Sequence, residues 1–207
     1  MALRPSIIII IYEQSSISSS WINLRAFDYE IPPKKGSLCR TEYGDISNLL
    51  NISGLRSGGG VISIGDNCRI GCSKRKYWAG TRTPTQLTAL GEGASIVIGN
   101  GCILNGVSIF AREGVEIGDG CIFATGIQIL DGDQHEVVSA NHKGSIDRPR
   151  KITIGRNVWV GLNAIILKGT EIGDNSVVGA GAVVRGKFPA NCVIAGNPAK
   201  VVKTFEI

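Results

Sequence analysis

The chain has 207 residues, of which 28 are glycine and only 6% are aromatic. Abundant glycine and few aromatic residues favour a single domain with many tight corners over a thick globular core. The formal net charge of +5 comes from scattered Lys and Arg residues. Only residues 74–78, KRKYW, hint at the basic stripe with interleaved aromatic residues that nucleic acid binding needs, so this charge favours polyanionic small ligands over nucleic acid.

The first sixty residues show no repeat, and we expect residues 1–60 to form an N-terminal elaboration of one domain whose main part is residues 61–207. The apolar run at residues 7–11 is too short to span a membrane and short for the core of a signal peptide. We interpret it as a buried or edge strand. The sequence therefore predicts a soluble, cytoplasmic protein without a membrane span.

Six-residue repeats begin at Ile64 and Ile70, and an interruption over residues 73–93 follows, either as a protruding loop or as a degenerate coil. The repeat then resumes on both sides of a single inserted residue, which a bulge at a corner can absorb. The predicted inward repeat positions of this stretch are Ile98, Leu104 and Phe110, then Ile117, Phe123 and Ile129.

Three of the six cysteines, Cys68, Cys102 and Cys121, follow a repeat position by four residues. Small residues occupy that place elsewhere, so we interpret these cysteines as small hydrophobic core residues in a reducing compartment. Cys68 and Cys72 have CxxxC spacing, but no second pair or nearby His completes a zinc site. No metal is expected.

The repeat stops over residues 131–151, a polar stretch that predicts an extruded loop of about twenty residues. Both histidines of the chain, His135 and His142, lie in it. Long loops without secondary structure in compact domains are usually functional or disordered.

The clearest repeat follows, because an aliphatic residue recurs every six positions over residues 154–184. The third residue after each is Asn or Gly, which suits a corner with positive φ, and the fourth is small. Lys187 and Phe188 are the exceptions to these two rules. A period of six excludes an amphipathic helix and indicates stacked coils whose backbones pair about 4.8 Å apart. The aliphatic positions are Ile154, Val160, Ile166, Ile172, Val178 and Val184.

Residues 134–200 contain the motifs QH, NVWVG, GAGAVV and AGNPAK. With the repeat, they resemble the hexapeptide-repeat acyltransferases, and within them the O-acetyltransferases of galactosides, maltose and capsular polysaccharides or exopolysaccharides. The resemblance covers about residues 60–203. It implies an all-β fold, a single-stranded left-handed parallel β-helix (a hexapeptide-repeat solenoid) with an extruded loop. The left hand rests on the resemblance, since the general crossover rule favours a right-handed winding.

The resemblance assigns His135 as the general base, because a histidine at the start of this loop has that role in the family. Imidazole suits the task, since its unperturbed pKa is near neutrality. A nearby carboxylate or backbone carbonyl would orient the ring. Asp131, Asp133 and Glu136 are the candidate carboxylates, and the sequence does not choose among them. His142 is either a surface residue or a contact for the acceptor.

Two further residues have competing interpretations. Asn105 corresponds to an asparagine beside the catalytic histidine of galactoside acetyltransferases, where it would bind the acceptor or the oxyanion. Its alternative is a corner residue. Trp159 should face outward, and an exposed aromatic residue on a solenoid wall needs a partner. Coenzyme A is the partner that the resemblance implies, and subunit packing is the alternative.

The resemblance also implies acetyl-CoA as co-substrate and a homotrimer with active sites between subunits. Leu162 stands where the galactoside enzymes have a small residue, which puts a contact there in doubt. Gly161 and Gly179 are interpreted first as structural, as corners that need no Cβ. The remaining coenzyme contacts are Ala180 on the pantetheine arm, and Arg185, Lys200 and Lys203 at the phosphates.

These features favour an O-acetyltransferase that acts on a saccharide, such as a unit of a capsular polysaccharide, an exopolysaccharide or a lipopolysaccharide. An antibiotic (streptogramin or chloramphenicol) or serine acetyltransferase is the alternative within the family. A non-catalytic β-helix scaffold or a γ-class carbonic anhydrase-like protein is the alternative outside it, although zinc would need three well-placed histidines. The sequence does not identify the acceptor, whose binding groups we expect in residues 1–60, residues 73–93 and the His135 loop.

Overall fold

The computed structural model describes residues 60–71, 85–133, 135 and 148–206, together with the backbone of one strand at residues 7–10. His142, Cys39, Cys72, Gln134 and Glu136 lie outside the described residues.

The described residues form nineteen short strands. In chain order they are β1 (Ile7–Ile10), β2 (Val61–Ile64), β3 (Arg69–Gly71), β4 (Gln86–Ala89), β5 (Ser95–Ile98), β6 (Ile103–Asn105), β7 (Ser108–Ala111), β8 (Gly114–Ile117), β9 (Ile122–Phe123), β10 (Gln128–Leu130), β11 (Ile152–Ile154), β12 (Trp159–Val160), β13 (Ile165–Leu167), β14 (Glu171–Ile172), β15 (Val177–Val178), β16 (Val183–Val184), β17 (Lys187–Phe188), β18 (Cys192–Gly196) and β19 (Ala199–Thr204).

The strands make three sheets that enclose one core. Wall A has the order β1-β2-β5-β8-β11-β14-β17, wall B has β3-β6-β9-β12-β15-β18-β19, and wall C has β4-β7-β10-β13-β16. From β2 to β18 the chain visits walls A, B and C in turn, and neighbouring coils pair in parallel. The predicted all-β parallel β-helix is confirmed, and the arrangement is consistent with a left-handed winding.

The corners between walls have the backbone conformation that the repeat predicts. Asn and Gly three residues after an aliphatic position adopt positive φ, which lets the chain turn sharply without a steric penalty for Gly and with a small one for Asn. The residues concerned include Asn67, Asn157, Asn163, Gly169, Asn175 and Gly181.

One predicted inward position is wrong. Ile109, not Phe110, is buried and aligns with Ile129 in the next coil, while Phe110 aligns with Leu130 and is half-buried. Leu104 and Ile109 are five positions apart, one fewer than the matching residues of the coils that follow. Ile109 and Ile117 are eight positions apart, two more than the six of a regular repeat. The two changes together look like a single inserted residue in the sequence.

The two exceptions at Lys187 and Phe188 have a simple cause. Phe188 pairs with Ile172, so it occupies a large inward position and not a small one. The corner between β16 and β17 is two residues shorter than the corner between β13 and β14, which advances the repeat by two positions.

The interruption at residues 73–93 is shorter than predicted. Strand β4 belongs to the first coil, and Leu87 is fully buried in line with Ile109. Thr85 is also buried, and its Oγ1 accepts hydrogen bonds from Gly106 N at 3.1 Å and Val107 N at 3.4 Å. The chain therefore joins the coil again at Thr85.

The cysteines lie at the predicted small inward position, four residues after an aliphatic repeat position, which we call the inward slot. Cys68, Cys102 and Cys121 are fully buried free thiols, and Cys192, which appears isolated in the sequence, fills the same slot three coils after Cys121. Cys102 Sγ donates to Gly118 O at 3.2 Å. A hydrogen bond with the Cys121 thiol, followed by burial, raises the pKa of Cys102 to about 11. This thiol stays protonated at neutral pH and acts as a core residue.

The remaining predicted strands are also present. Strand β1 pairs antiparallel with β2 at the edge of wall A, which confirms the edge strand predicted at residues 7–11. After β18 the chain turns at Asn197-Pro198, a cis peptide bond, and β19 returns antiparallel on wall B. Within the described part of the chain, no helix has the length and apolar character needed to cross a membrane.

Candidate active site

The extruded loop leaves the helix at the corner between walls C and A. It begins after β10 on wall C and ends before β11 on wall A. Asp131, at its start, is fully buried, and its carboxylate accepts hydrogen bonds from the backbone N–H groups of Arg112, Glu113 and Gly114 at 2.8–2.9 Å. These bonds hold the longer corner of the preceding coil in place.

Three contacts join the two ends of the loop, which we call the loop neck. Arg150 N donates to Asp131 O at 2.8 Å. Lys168 Nζ pairs with the Asp133 carboxylate and also donates to Arg148 O at 3.3 Å. The loop is therefore tied to the body of the helix on both sides of His135.

His135 is exposed and follows Asp133 by two residues. A two-residue step spans at most about 7 Å between Cα atoms, so the ring stays near the C–A corner. The Asp131 carboxylate is committed to the corner amides and the Asp133 carboxylate pairs with Lys168. That a nearby carboxylate or backbone carbonyl orients the His135 ring stays a prediction.

Trp159 lies on wall B and faces outward, as predicted, with 55% of its surface exposed. It pairs in register with Ile122 on one side, which is 43% exposed, and with Val177 on the other. The stripe continues to Ile103 and Val193 through the same register. An exposed apolar stripe of this kind indicates a binding surface.

Asn105 and Ala180 both lie at the corner between walls B and C. Asn105 is half-buried, and its Nδ2 donates to Phe123 O at 3.0 Å, a bond that favours the corner interpretation. Ala180 is exposed, and a Cβ on Gly161 would come within 2.7 Å of Ala180 N. Gly161 is therefore a corner, as predicted, and has no room for a side chain.

The three basic residues predicted at coenzyme phosphates are all exposed, but they do not lie together. Lys200 and Lys203 are on β19, where they pair with Ala195 and Val193 at the end of wall B. Arg185 directly follows β16 and is at the C–A corner. Arg185 thus belongs to the side of the molecule that carries His135.

The predicted residues form two groups on opposite sides of the helix. The first group, at the C–A corner, contains His135 and Arg185. The second, on wall B and its corner with wall C, contains Asn105, Trp159, Ala180, Lys200 and Lys203. Because wall B is the wall opposite the C–A corner, and the loop neck holds His135 at that corner, one chain does not bring His135 to Trp159.

Two residues of this region are not evident from sequence alone. Lys168 resembles any exposed corner lysine, and its partner Asp133 is 35 residues away. Thr85 follows Pro84 at the end of an interruption without a repeat. No spacing or motif marks either residue. Among the described residues there is also no group of three or more His, Cys, Asp or Glu side chains arranged to hold a metal ion.

Comparison with known proteins identifies related chains. Residues 151–185 match the hexapeptide repeat of succinyl-transferase. The chain is 34% identical over 158 residues to the putative lipopolysaccharide biosynthesis O-acetyl transferase WbbJ of Escherichia coli strain K12, covering 71% of this chain and 74% of that protein.

Two solved structures are similar as well. A galactoside acetyltransferase in complex with coenzyme A is 35% identical with a TM-score of 0.50, covering 54% of this chain and 56% of that one. The polySia-specific acetyltransferase NeuO is 29% identical with a TM-score of 0.57, covering 69% of this chain and 61% of that one. The chain thus spans less than two thirds of these two proteins.

Proposed function

The chain belongs to the O-acetyltransferase branch of the hexapeptide-repeat acetyltransferases, which use acetyl-CoA, and we propose that it transfers acetyl from acetyl-CoA to a hydroxyl group of a saccharide. The similarity to WbbJ over 74% of that protein carries the proposal and supports a lipopolysaccharide or other polysaccharide unit as acceptor. Such a reaction would take place in the cytoplasm, where acetyl-CoA is supplied.

His135 is the base in this proposal. One imidazole nitrogen takes the proton of the acceptor hydroxyl while its oxygen attacks the thioester carbonyl carbon. The new C–O bond forms, the C–S bond breaks, and the departing thiolate of coenzyme A receives the proton from the imidazolium. Direct transfer needs no covalent enzyme intermediate, so its rate depends on holding both substrates and the base in position.

The separation of the two residue groups supports a site shared by two copies of the chain. Trp159 and the apolar stripe of wall B offer a surface for the pantetheine arm or for a neighbouring subunit. The loop neck presents His135 on the far side of the same chain. If both groups act in one site, the His135 loop of one copy faces wall B of another, and a homotrimer with active sites between subunits satisfies this requirement.

A thiol-release assay with acetyl-CoA and a panel of acceptors tests the function. The panel contains neutral glycans, acidic glycans, serine, chloramphenicol and a streptogramin. We expect release of coenzyme A with a saccharide, and the acidic glycans are included because NeuO is named for polySia. Release with serine or an antibiotic alone would contradict the saccharide acceptor, and a lack of acetyl-CoA binding by calorimetry would contradict the enzyme.

The two histidines provide a matched pair of variants for the base. We expect His135→Ala to lower kcat by about 10²–10⁴-fold, the usual contribution of a positioned general base. His142→Ala removes the same side chain from the same loop and should keep kcat within about threefold. A His135→Ala variant with near-normal turnover would end this assignment.

Trp159→Ala tests the coenzyme surface. If the ring contacts coenzyme A, the KM for acetyl-CoA should rise by about tenfold with a smaller change in the KM for the acceptor, since about 1.4 kcal/mol of binding corresponds to tenfold. Thr153→Ala, on the exposed face of wall A in the same coil, is the control. A subunit contact would instead change the oligomeric state, which sedimentation measures on the same samples.

A further inference from the structure

Lys168 differs from the other paired lysines of the helix in its surroundings. Only 14% of its side chain is exposed, whereas Lys187, which pairs with Glu171 between neighbouring coils, is 77% exposed. A charged group that is largely removed from water must be compensated by partners. Lys168 has two of them, the Asp133 carboxylate and Arg148 O.

These partners lie on the two ends of the extruded loop. Asp133 is on the outgoing segment and Arg148 on the returning one, so a single ammonium group connects both segments to the corner between β13 and β14. Below this contact, Arg150 O accepts a hydrogen bond from Gly169 N at 2.9 Å, which fixes the returning segment to the same corner. Lys168 is thus the outermost contact of the loop neck.

The position of Asp133 determines where His135 can lie. Asp131 is held by its buried carboxylate and backbone bonds, but Asp133 is 40% exposed on its side chain. Without the contact between Lys168 and Asp133, the nearest described fixed point before His135 would be Asp131, four residues away. The reach of the histidine from its nearest fixed point would then double, from about 7 Å to about 14 Å.

We propose that Lys168 is a positioning residue, which holds the start of the loop through Asp133 and so places the His135 imidazole for proton transfer. This inference rests on the proposed function, in which His135 is the base. Lys168 acts through Asp133 and does not take part in the chemistry. A displacement of about 1 Å at a reacting group can cost about a hundredfold in rate, so a contact two residues away is sufficient to matter.

The first experiment compares Lys168→Met with Lys187→Met. Each variant removes one lysine charge from an ion pair between coils and keeps most of the aliphatic stem. We expect Lys168→Met to lower kcat by about 10-fold to 100-fold with little change in the KM for acetyl-CoA, and Lys187→Met to stay within about twofold. Lys168→Arg, which keeps the cation, should recover most of the lost kcat.

Asp133→Asn provides a second route if Lys168→Met folds poorly. It breaks the same ion pair from its more exposed side and should lower kcat to a similar degree. Because the two changes remove one interaction, the double variant should be no more than about twofold slower than the slower single variant. Independent, multiplying losses would mean that the two residues do not act through each other, and would overturn the proposal.

Magnetic resonance of labelled histidine observes the His135 ring directly and does not depend on turnover. The chain has only two histidines, so the signals of ¹³C-labelled histidine can be assigned with a His142→Gln variant. We expect the His135 signal to shift in Lys168→Met and Asp133→Asn, and to stay unchanged in Lys187→Met. An unchanged His135 signal in the first two variants would overturn the proposal.

The two sets of results separate the two claims. If His135→Ala is active while Lys168→Met still shifts the His135 signal, the base assignment fails but Lys168 still positions the ring. If His135→Ala is inactive while Lys168→Met matches Lys187→Met in both kcat and signal, the positioning role fails and the proposed base stands.

Discussion

The A–B corner and the C–A corner of this helix are built from the same repeat but behave differently. Across the A–B corner, the inward residues of walls A and B are always six positions apart, from Ile64 and Ile70 to Phe188 and Ile194. Across the C–A corner the separation varies from coil to coil. The pairs there are Ile109 and Ile117, Ile129 and Ile154, Ile166 and Ile172, and Val184 and Phe188.

Side-chain contacts between coils explain the constant corner. Asn157 Nδ2 donates to Asn175 Oδ1 at 3.0 Å, and Asn175 Nδ2 donates to Asn191 Oδ1 at 3.1 Å. These residues all need positive φ, so each coil fixes the turn of the next. The C–A corner has no such ladder among the described residues, and its longer coils are held by single polar contacts such as that of Asp131. Extra residues, including the loop with His135, are accommodated there.

The largest difference in stability is expected between two variants, Asp131→Ala at the C–A corner and Asp174→Ala at the A–B corner. Asp131→Ala leaves the amides of Arg112, Glu113 and Gly114 without their acceptor, and we expect a loss of about 3–4 kcal/mol in the free energy of unfolding. Urea denaturation measures it, with kcat as a second readout of the loop.

Asp174→Ala at the A–B corner is the control. Asp174 accepts hydrogen bonds from the Arg156 backbone N–H and guanidinium, which lower its pKa, but the pair is exposed, so its loss should destabilise the fold far less than the loss of Asp131. Equal losses in the two variants would mean that the C–A corner is not held by Asp131.

Insertions test the comparison directly. Two glycines inserted after Arg185 would give this short corner the six-residue spacing found between Ile166 and Ile172, so we expect a change within about 1 kcal/mol. Two glycines inserted after Asn157 would interrupt the asparagine ladder and displace Val158, with an expected loss of about 2–4 kcal/mol. The comparison would be wrong if thermal unfolding ranked the two insertions in the opposite order.

The B–C corner provides an intermediate case. In Gly161→Ala the new Cβ would lie 2.7 Å from Ala180 N, so the backbone of the next coil must shift, at a cost of about 1–3 kcal/mol. Gly181→Ala, in the next coil, meets no atom within 4 Å and costs only the strain of its φ of 68°, about 1 kcal/mol. Calorimetric unfolding should therefore rank Gly161→Ala as the more destabilised variant.

The smallest effect is expected in the inward slot of the A–B corner. Ser176 occupies the same slot as the cysteines, and its Oγ donates to Pro189 O at 3.2 Å much as Cys102 Sγ donates to Gly118 O. Cys102→Ser should therefore change the free energy of unfolding by less than about 1 kcal/mol. A loss above about 2 kcal/mol would show that the slot depends on sulfur and not on size alone.

The fold could be predicted from the sequence because every coil repeats the same six-residue pattern. A six-residue period with Asn or Gly at a fixed offset predicts walls, corners and inward residues, including the slot of Cys102. It was insufficient at Ile109 and Phe110, where one corner is shorter and the next is longer, since both residues are apolar and either fits an inward position. A local pattern also cannot show contacts across coils, such as that of Lys168 with Asp133 or of Thr85 with Gly106.

The sequence predicted which residues belong to the candidate site, but not how these residues are arranged in space. Trp159 faces outward on wall B, as its place in the repeat predicts, and Gly161 lies at a corner. The assignment of His135 to the opposite side of the helix depends on which corner the loop leaves, and that depends on the phase of all preceding coils. A one-residue error in the phase of the repeat, such as the one at Phe110, is enough to prevent this assignment.

The reversed strand β19 has a consequence for how the protein behaves at high concentration. A stack of identical parallel coils presents bare hydrogen-bonding edges, and such edges invite growth into filaments. Among the described strands of wall B, β19 is outermost and runs against the others, with Lys200 and Lys203 exposed along it. Opposite polarity and positive charge make this edge a poor template for another coil, which favours discrete particles over fibres.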